Sequence, residues 1–200
     1  MTNVLCVDDD EGLAQVLSDM LSFSGFETVV ATSGEDCLRL LDEGLFPDLI
    51  LLDIMMSPMD GWQTLNRIRE NMDFCSIPVL MLTGKYPTMS EVSRYGMLFE
   101  GYFMKPFAMK NLISSVNDLL DRVSVRENIV RMGMETGMDE RTMCEFRRLF
   151  SIGEVLDQFE RIITDGSFDR EVMNKLMDRF HSLQKELEEH GVDVGEALAD

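Results

Sequence analysis

Over residues 1–122, short apolar runs alternate with stretches whose apolar positions recur at helical spacing. Val4-Leu5-Cys6-Val7, Glu27-Thr28-Val29-Val30, Leu49-Ile50-Leu51-Leu52, Pro78-Val79-Leu80-Met81-Leu82 and Gly101-Tyr102-Phe103-Met104 each read as a strand. The third is the plainest. Entered from Pro47-Asp48 and closed by Asp53, it has no polar alternation, the pattern of a strand buried on both faces of a parallel sheet. A lone carboxylate is costly to bury, so Asp53 is expected at the open carboxyl end of its strand.

Between the runs, Leu13, Val16, Leu17, Met20 and Leu21 mark one face of a helix that Gly25 ends. Ser33, with Asp36 three residues on, caps a second helix carrying Cys37, Leu38, Leu40 and Leu41 as far as Gly44. Asp60-Gly61 opens a third, with Trp62, Leu65, Ile68 and Arg69 inward. A weaker pattern predicts a fourth from Thr88 to Met97. Leu112, Ile113, Val116, Leu119 and Leu120 predict a fifth from Phe107 to Leu120. Strands alternating with helices predict an α/β fold, a doubly wound five-stranded parallel sheet. Right-handed crossovers then bring every strand's carboxyl end to one edge.

The texture changes after residue 122. Residues 125–200 hold no proline and no strand-like run. They read as a small all-α helical region over 123–200, about three helices, serving dimerisation or partner binding. Ser124 with Glu127 is a capping box that restarts a helix, and Gly133 and Gly137 break it. Met143, Phe146, Leu149 and Phe150 mark a helix. Ser151 with Glu154 caps another bearing Val155, Leu156, Phe159, Ile162 and Ile163. Met173, Leu176, Phe180, Leu183 and Leu187 form a heptad seam that fades at His190-Gly191. Its partner is either the neighbouring helices or a second chain.

Charge and cysteine usage narrow the functional classes. A net charge of −19 argues against a nucleic-acid surface as the main business. Residues 125–200, net −8, lack a basic recognition helix, and Arg147-Arg148 is their only basic doublet. Cys6, Cys37, Cys75 and Cys144 form no C-x-x-C pair and read as reduced, mostly buried thiols of a cytoplasmic protein. Met1-Thr2-Asn3 lacks the charged start of a secretory leader. No apolar run is long enough to span a bilayer, so no membrane contact is expected.

The strand ends carry the candidate chemistry: Asp8 and Asp9, Asp53, Thr83 and Lys105. Each has a plainer role when taken alone. Acids before a helix cap it and complement its dipole, a threonine starts a turn, and a lysine pairs with any nearby acid. Together they place three carboxylates, a hydroxyl and an amine on one edge. Carboxylates so close repel unless a cation sits among them, and oxygen ligands without His or Cys favour Mg²⁺. A carboxylate beside Mg²⁺ and a lysine can attack a phosphoryl group in line, with Thr83 donating to the phosphoryl oxygens. A Mg²⁺-dependent phosphatase on a related fold would need a second Asp two residues after the nucleophile, where Met55 stands.

These motifs resemble, position by position, the receiver domain of two-component response regulators, with its flavodoxin-like fold. Val4 to Asp9 is similar to the family's first strand and acidic pair. Pro47 to Asp53 resembles the strand bearing the phosphoacceptor, and Met59-Asp60-Gly61 the turn into the third helix. Thr83 takes the switch-hydroxyl position, and Lys105-Pro106-Phe107 the family's lysine-proline-phenylalanine. The resemblance covers residues 1–122, about three fifths of the chain. It implies phosphoryl transfer from a sensor histidine kinase to Asp53, a phosphoacceptor rather than an enzyme. Mg²⁺ would be held by Asp8, Asp9, Asp53 and the Met55 backbone carbonyl. Lys105 would contact the phosphoryl group, Thr83 would move toward it, and Tyr102 would turn inward as the switch aromatic.

The chain departs from the family at several points. Ser57-Pro58 replaces the commoner Pro-Gly order, Gly84 stands where Ala is common, and Leu98-Phe99 replace Gly-Ala before Tyr102. Met55 and Lys85 occupy positions that tune phosphoryl lifetime in the family. An apolar Met55 cannot orient a water, which implies slow loss of phosphate. The downstream protein is not specified by any motif. A homodimer would use the receiver's last helices or the helix over 168–190. Two further readings stand beside this one: a transcription regulator with a helical DNA-binding tail, and a phosphorelay that passes phosphate to His181.

Overall fold

A computed structural model of the chain describes residues 1–85, 88–96, 98–151, 155 and 170–194. Five parallel strands run β1 (Asn3–Val7), β2 (Glu27–Ala31), β3 (Leu49–Asp53), β4 (Val79–Thr83) and β5 (Gly101–Met104). They lie in the order β2-β1-β3-β4-β5, with β1 Leu5 opposite β3 Ile50, and β3 Asp53 opposite β4 Leu82. The described helices are α1 (Glu11–Phe23), α2 (Gly34–Asp42), α3 (Gly61–Glu70), α4 (Met89–Tyr95), α5 (Met109–Glu135), α6 (Glu140–Phe150) and α7 (Arg170–Glu189). Every predicted strand is present, with ends displaced by a residue or so. The chain divides into two compact units, Met1–Tyr86 with Leu98–Asp118, and Pro87–Met97 with Leu119–Asp200.

In the first unit, β3 is the central strand, and all five of its residues are buried. Burying a side chain of that size contributes about 1.5–3 kcal/mol. Four in succession hold β3 firmly in the sheet, and with it Asp53 at its end. The helix starts follow from the acids and hydroxyls that precede them. Asp10 accepts from the Leu13 N–H at 3.0 Å, and Ser33 accepts from the Asp36 N–H at 3.0 Å. Asp60 and Gln63 form a reciprocal capping box at 2.8 and 3.1 Å.

The inward face of α1 differs from the predicted one. Ala14, Leu17, Ser18 and Leu21 are buried, whereas Val16 is 52% exposed and Met20 also faces outward. Ser18 is accommodated because its hydroxyl bonds to Thr28 Oγ1 on β2 at 2.7 Å, so a polar residue serves on the inner stripe.

In the second unit, Ile129, Val130, Met143, Phe146, Phe180, Leu183 and Leu187 form one core. The Phe146 and Phe180 rings stack at 5.7 Å, with Phe150 edge-on to both. The α7 seam therefore finds its apolar partners within the chain. The predicted restart at Ser124 is overturned: α5 runs unbroken from Met109 to Glu135. No glycine or proline interrupts it before Gly133, and buried positions continue at helical spacing through Val116, Leu119, Arg126, Ile129 and Val130. Gly133 lies inside α5 instead of breaking it. A Cβ there would lie 2.6 Å from Met143 Sδ and 3.0 Å from Leu187 Cδ2, so glycine permits the approach of α6 and α7. The helix ends at Glu135, and Gly137, two residues beyond, takes a φ of 96°.

Val155 is buried, and its N–H bonds to the Ser151 carbonyl. The rest of that predicted helix (Leu156, Phe159, Ile162, Ile163, with Glu154 of its cap), the Met173 side chain, Met97 and the tail beyond 194 lie outside the described residues. No described helix is long and apolar enough to cross a membrane. The four cysteines are free. Cys6 and Cys37 are buried, which pushes each thiol up to about 12, while Cys75 and Cys144 are only half-buried.

Gly61 joins β3 to α3 by contact. Its N–H donates to the Ile54 carbonyl at 3.0 Å, and a Cβ would lie 2.2 Å from the Asp53 carbonyl oxygen and 2.8 Å from Ile54 Cα. Both neighbours are backbone and cannot swing aside. Gly61→Ala is expected to lower stability by about 1–3 kcal/mol in urea unfolding, even though alanine is the better helix former.

Candidate functional site

The carboxyl edge of the sheet gathers the predicted residues. Asp8 follows β1, Asp53 ends β3, Thr83 ends β4 and Lys105 follows β5. Lys105 Nζ reaches Asp8 Oδ2 at 2.6 Å and Asp53 Oδ1 at 3.0 Å. Oxygens of Asp8, Asp9 and Asp53 all lie within 4.8 Å of one another. Asp53 is 4% exposed, Asp8 is buried and Asp9 is exposed, so the cluster opens to solvent on one side.

Backbone amides hold the acids in place. The Met55 N–H donates to Asp53 Oδ2 at 3.1 Å, the Asp10 N–H to Asp8 Oδ1 at 3.0 Å, and the Ser57 N–H to Asp9 Oδ2 at 3.1 Å. None of the three was expected, because no side-chain pattern in the sequence reports a backbone donor. The Met55 side chain points outward and is 58% exposed.

Thr83 is fully buried, and its Oγ1 accepts from the Lys85 N–H at 3.2 Å. The Lys105 N–H donates to the Thr83 carbonyl at 2.7 Å, so hydroxyl and amine are tied through adjacent strand ends. Tyr102 is buried, and its hydroxyl donates to the Lys85 carbonyl. His181 is exposed on α7.

The electrostatics follow from this packing. Burial raises the Asp53 carboxyl above its ordinary value of 3.8, more than the hydrogen bond and charge of Lys105 lower it; Asp8 adds to the rise. Burial disfavours the Lys105 charge, but hydrogen bonds to Asp8 and Asp53 outweigh it and hold the ammonium above its usual 10.5. One ammonium among three carboxylates leaves the cluster negative. All the acidic donors are hard oxygens. The set suits a small divalent cation of the Mg²⁺ type, which needs few protein ligands and keeps several waters.

A five-stranded parallel sheet with this acidic, lysine-bearing edge defines a signal-receiver fold. A family model described as the response regulator receiver domain matches residues 4–117. The chain is 35% identical over 122 residues to the transcriptional regulatory protein CpxR of Escherichia coli (strain K12), which covers 61% of this chain and 50% of that protein. Among solved structures, the N-terminal domain of a response regulator receiver protein from Methanoculleus marisnigri JR1 is 42% identical. That match covers 59% of this chain and 95% of the other, with a TM-score of 0.50. Response regulator protein TrrA from Thermotoga maritima, in complex with Mg(2+)-BeF, is 28% identical over 60% of this chain and 99% of that one, with a TM-score of 0.53.

The chain belongs to the response regulator receiver domain family. It spans about half the length of the curated relatives it matches. Because CpxR is a transcriptional regulator, the expectation against nucleic acid draws no support from these relatives.

The raised Asp53 carboxyl has a consequence for stability. The folded chain holds that proton more tightly than the unfolded chain, so stability falls as pH rises through the interval above 3.8. The loss is complete once the pH has passed the raised folded value. Asp53→Asn removes it. The variant is expected to show a higher urea midpoint than wild type at pH 7, with the gap narrowing as pH is lowered toward 3.8. Equal midpoints at both ends would contradict the assignment.

Proposed function

We propose that this chain accepts a phosphoryl group on Asp53 from the phosphohistidine of a sensor histidine kinase and passes the change to a protein partner. One observation carries the reading. The Lys105 ammonium bonds at once to Asp53 and Asp8, within a three-carboxylate cluster that suits Mg²⁺. Asp8, Asp9, Asp53 and the Met55 carbonyl would hold the metal, which would supply charge to neutralise the phosphoryl oxygens.

The chain's own residues do the rest. Lys105 draws charge from the phosphoryl group, and Asp53 presents a carboxylate oxygen in line. As the new P–O bond forms, the P–N bond to the histidine breaks and its electron pair returns to the imidazole. Thr83 then donates its hydroxyl to a phosphoryl oxygen, releasing the Lys85 amide. Tyr102, bonded to the Lys85 carbonyl, follows that loop. The family resemblance and the placement of Asp53 at the carboxyl end of the central strand, in reach of Lys105, support the assignment. A cytoplasmic site of action follows from the same reading.

A second reading is favoured by the transcriptional relative alone: the helical region of a longer regulator contacts DNA. It requires salt-dependent DNA binding, and the acidic balance of residues 125–200 opposes it. Phosphate transfer to His181 has no observation in its favour.

The test is incubation of the full chain with acetyl phosphate and Mg²⁺, followed by intact-mass analysis. Wild type is expected to gain one phosphoryl group and Asp53→Asn none. Chelation of Mg²⁺ should slow the gain by about tenfold or more. Because Met55 offers no group to orient water, the phosphoryl group should persist for minutes. A half-life of seconds would count against that part of the reading.

A further inference from the structure

The stretch just before β5 departs from the family in sequence, and its surroundings in the first unit are built from groups that the phosphoacceptor reading leaves unused. Phe99 is 3% exposed and Trp62, the second residue of α3, is 5% exposed. Their ring centroids lie 5.8 Å apart. Beside them the buried Arg69 binds three acceptors at once. Its Nε donates to the Leu98 carbonyl at 2.7 Å, Nη1 to the Ile77 carbonyl at 2.7 Å, and Nη2 to Glu100 Oε2 at 3.1 Å. The same Glu100 oxygen accepts from the Val79 N–H at 2.6 Å. The segment Leu98–Glu100 is thus fastened to α3 at two points, by a ring contact and by a buried guanidinium.

The amino end of α3, which carries Trp62, is also fastened to the phosphoacceptor strand. Gly61 lies against the Asp53 and Ile54 backbone with no room for a Cβ. A displacement of the Asp53–Ile54 backbone must move Gly61, and Trp62 follows it in the chain. Packed interiors transmit such shifts because they cannot be compressed. Two arms therefore lead from the site to the same strand. One runs from Thr83 through Lys85 to the Tyr102 hydroxyl. The other runs from Asp53 through Gly61 and Trp62 to Phe99, three residues before Tyr102.

We propose that the Trp62–Phe99 contact is a second transmission arm, carrying occupancy of Asp53 through α3 to the start of β5, with Arg69 and Glu100 as its anchor. The bulky Phe99 is then the receiving end of this arm instead of an obstacle to switching. The proposal rests on the reading of Asp53 as phosphoacceptor.

The test uses the full chain with Mg²⁺ and beryllofluoride, followed by amide hydrogen exchange over 53–57 and over 98–102. In wild type, both segments are expected to change on addition. In Trp62→Leu, the change over 98–102 should fall at least threefold while protection over 53–57 is kept. Trp62→Phe retains a ring and should keep most of the response. Phe99→Leu cuts the same contact from the other side and should behave as Trp62→Leu does, which guards against a variant that fails to fold. An undiminished response over 98–102 in both leucine variants overturns the proposal. So does a wild type protected over 53–57 but unchanged over 98–102. A wild type with no protection over 53–57 removes the phosphoacceptor reading itself, and this inference with it.

Discussion

The mutual repulsion of Asp8, Asp9 and Asp53 is the constraint on which the first unit depends. Three carboxylates with ligand oxygens within 4.8 Å of one another do not sit together unaided. Each needs a scaffold that overrides its preference for water. β3 supplies it for Asp53 through four fully buried side chains behind the carboxylate. Amides of the neighbouring loops supply it for Asp8 and Asp9, and Lys105 offsets part of the charge at the cost of its own burial. The burial that raises the Asp53 carboxyl also keeps solvent from the pocket floor. The site is thus unfavourable to the free fold and suited to a bound cation, as expected where stability is traded for chemistry.

Much of this was legible in the sequence because it depends on short-range rules. An apolar run without alternation reads as a buried parallel strand, and the residue after it must lie at the sheet edge. Asp8, Asp53, Thr83 and Lys105 all follow from that single inference. Helix starts were legible where a side chain does the capping, as at Asp10, Ser33 and Asp60. The readings that failed turned on tertiary context. The α1 face was misjudged because hydropathy ranks Val16 and Met20 above Ser18, while the fold gives Ser18 a hydroxyl partner on β2. Ser124 matches a capping box, yet the same four residues sit comfortably inside α5, where the burial pattern continues past them. Gly133 reads as a breaker by propensity and is a packing residue in fact.

Long-range polar contacts were the least legible. Arg69 could be placed on the inner face of α3, but nothing in the sequence pairs it with Glu100, 31 residues away, or with two carbonyls from other segments. The amides that hold Asp8 and Asp9 belong to the backbone and leave no trace in residue type. The second unit was half legible for a related reason. Its heptad seam was plain, but a seam states only that an apolar partner exists. The fold supplies it from α5 and α6, with Gly133 clearing the way.

The position of Arg69 bears on how the two units of function, input and response, are wired. A buried guanidinium with a carboxylate contributes little net stability relative to apolar packing, because desolvating both ions costs nearly what their attraction returns. What such a pair offers is a defined geometry, since three separate acceptors can be satisfied in only one arrangement. Here the arrangement locks Leu98–Glu100 to α3 at the amino ends of β4 and β5, whereas Asp53 stands at the carboxyl end of β3. A segment held that firmly at one end moves as a lever, not as a loose loop, when the other end is pushed. That makes the aromatic contact between Trp62 and Phe99 informative as a mechanical joint, and it gives the family departure at Leu98-Phe99 a physical reason rooted in this chain's own packing.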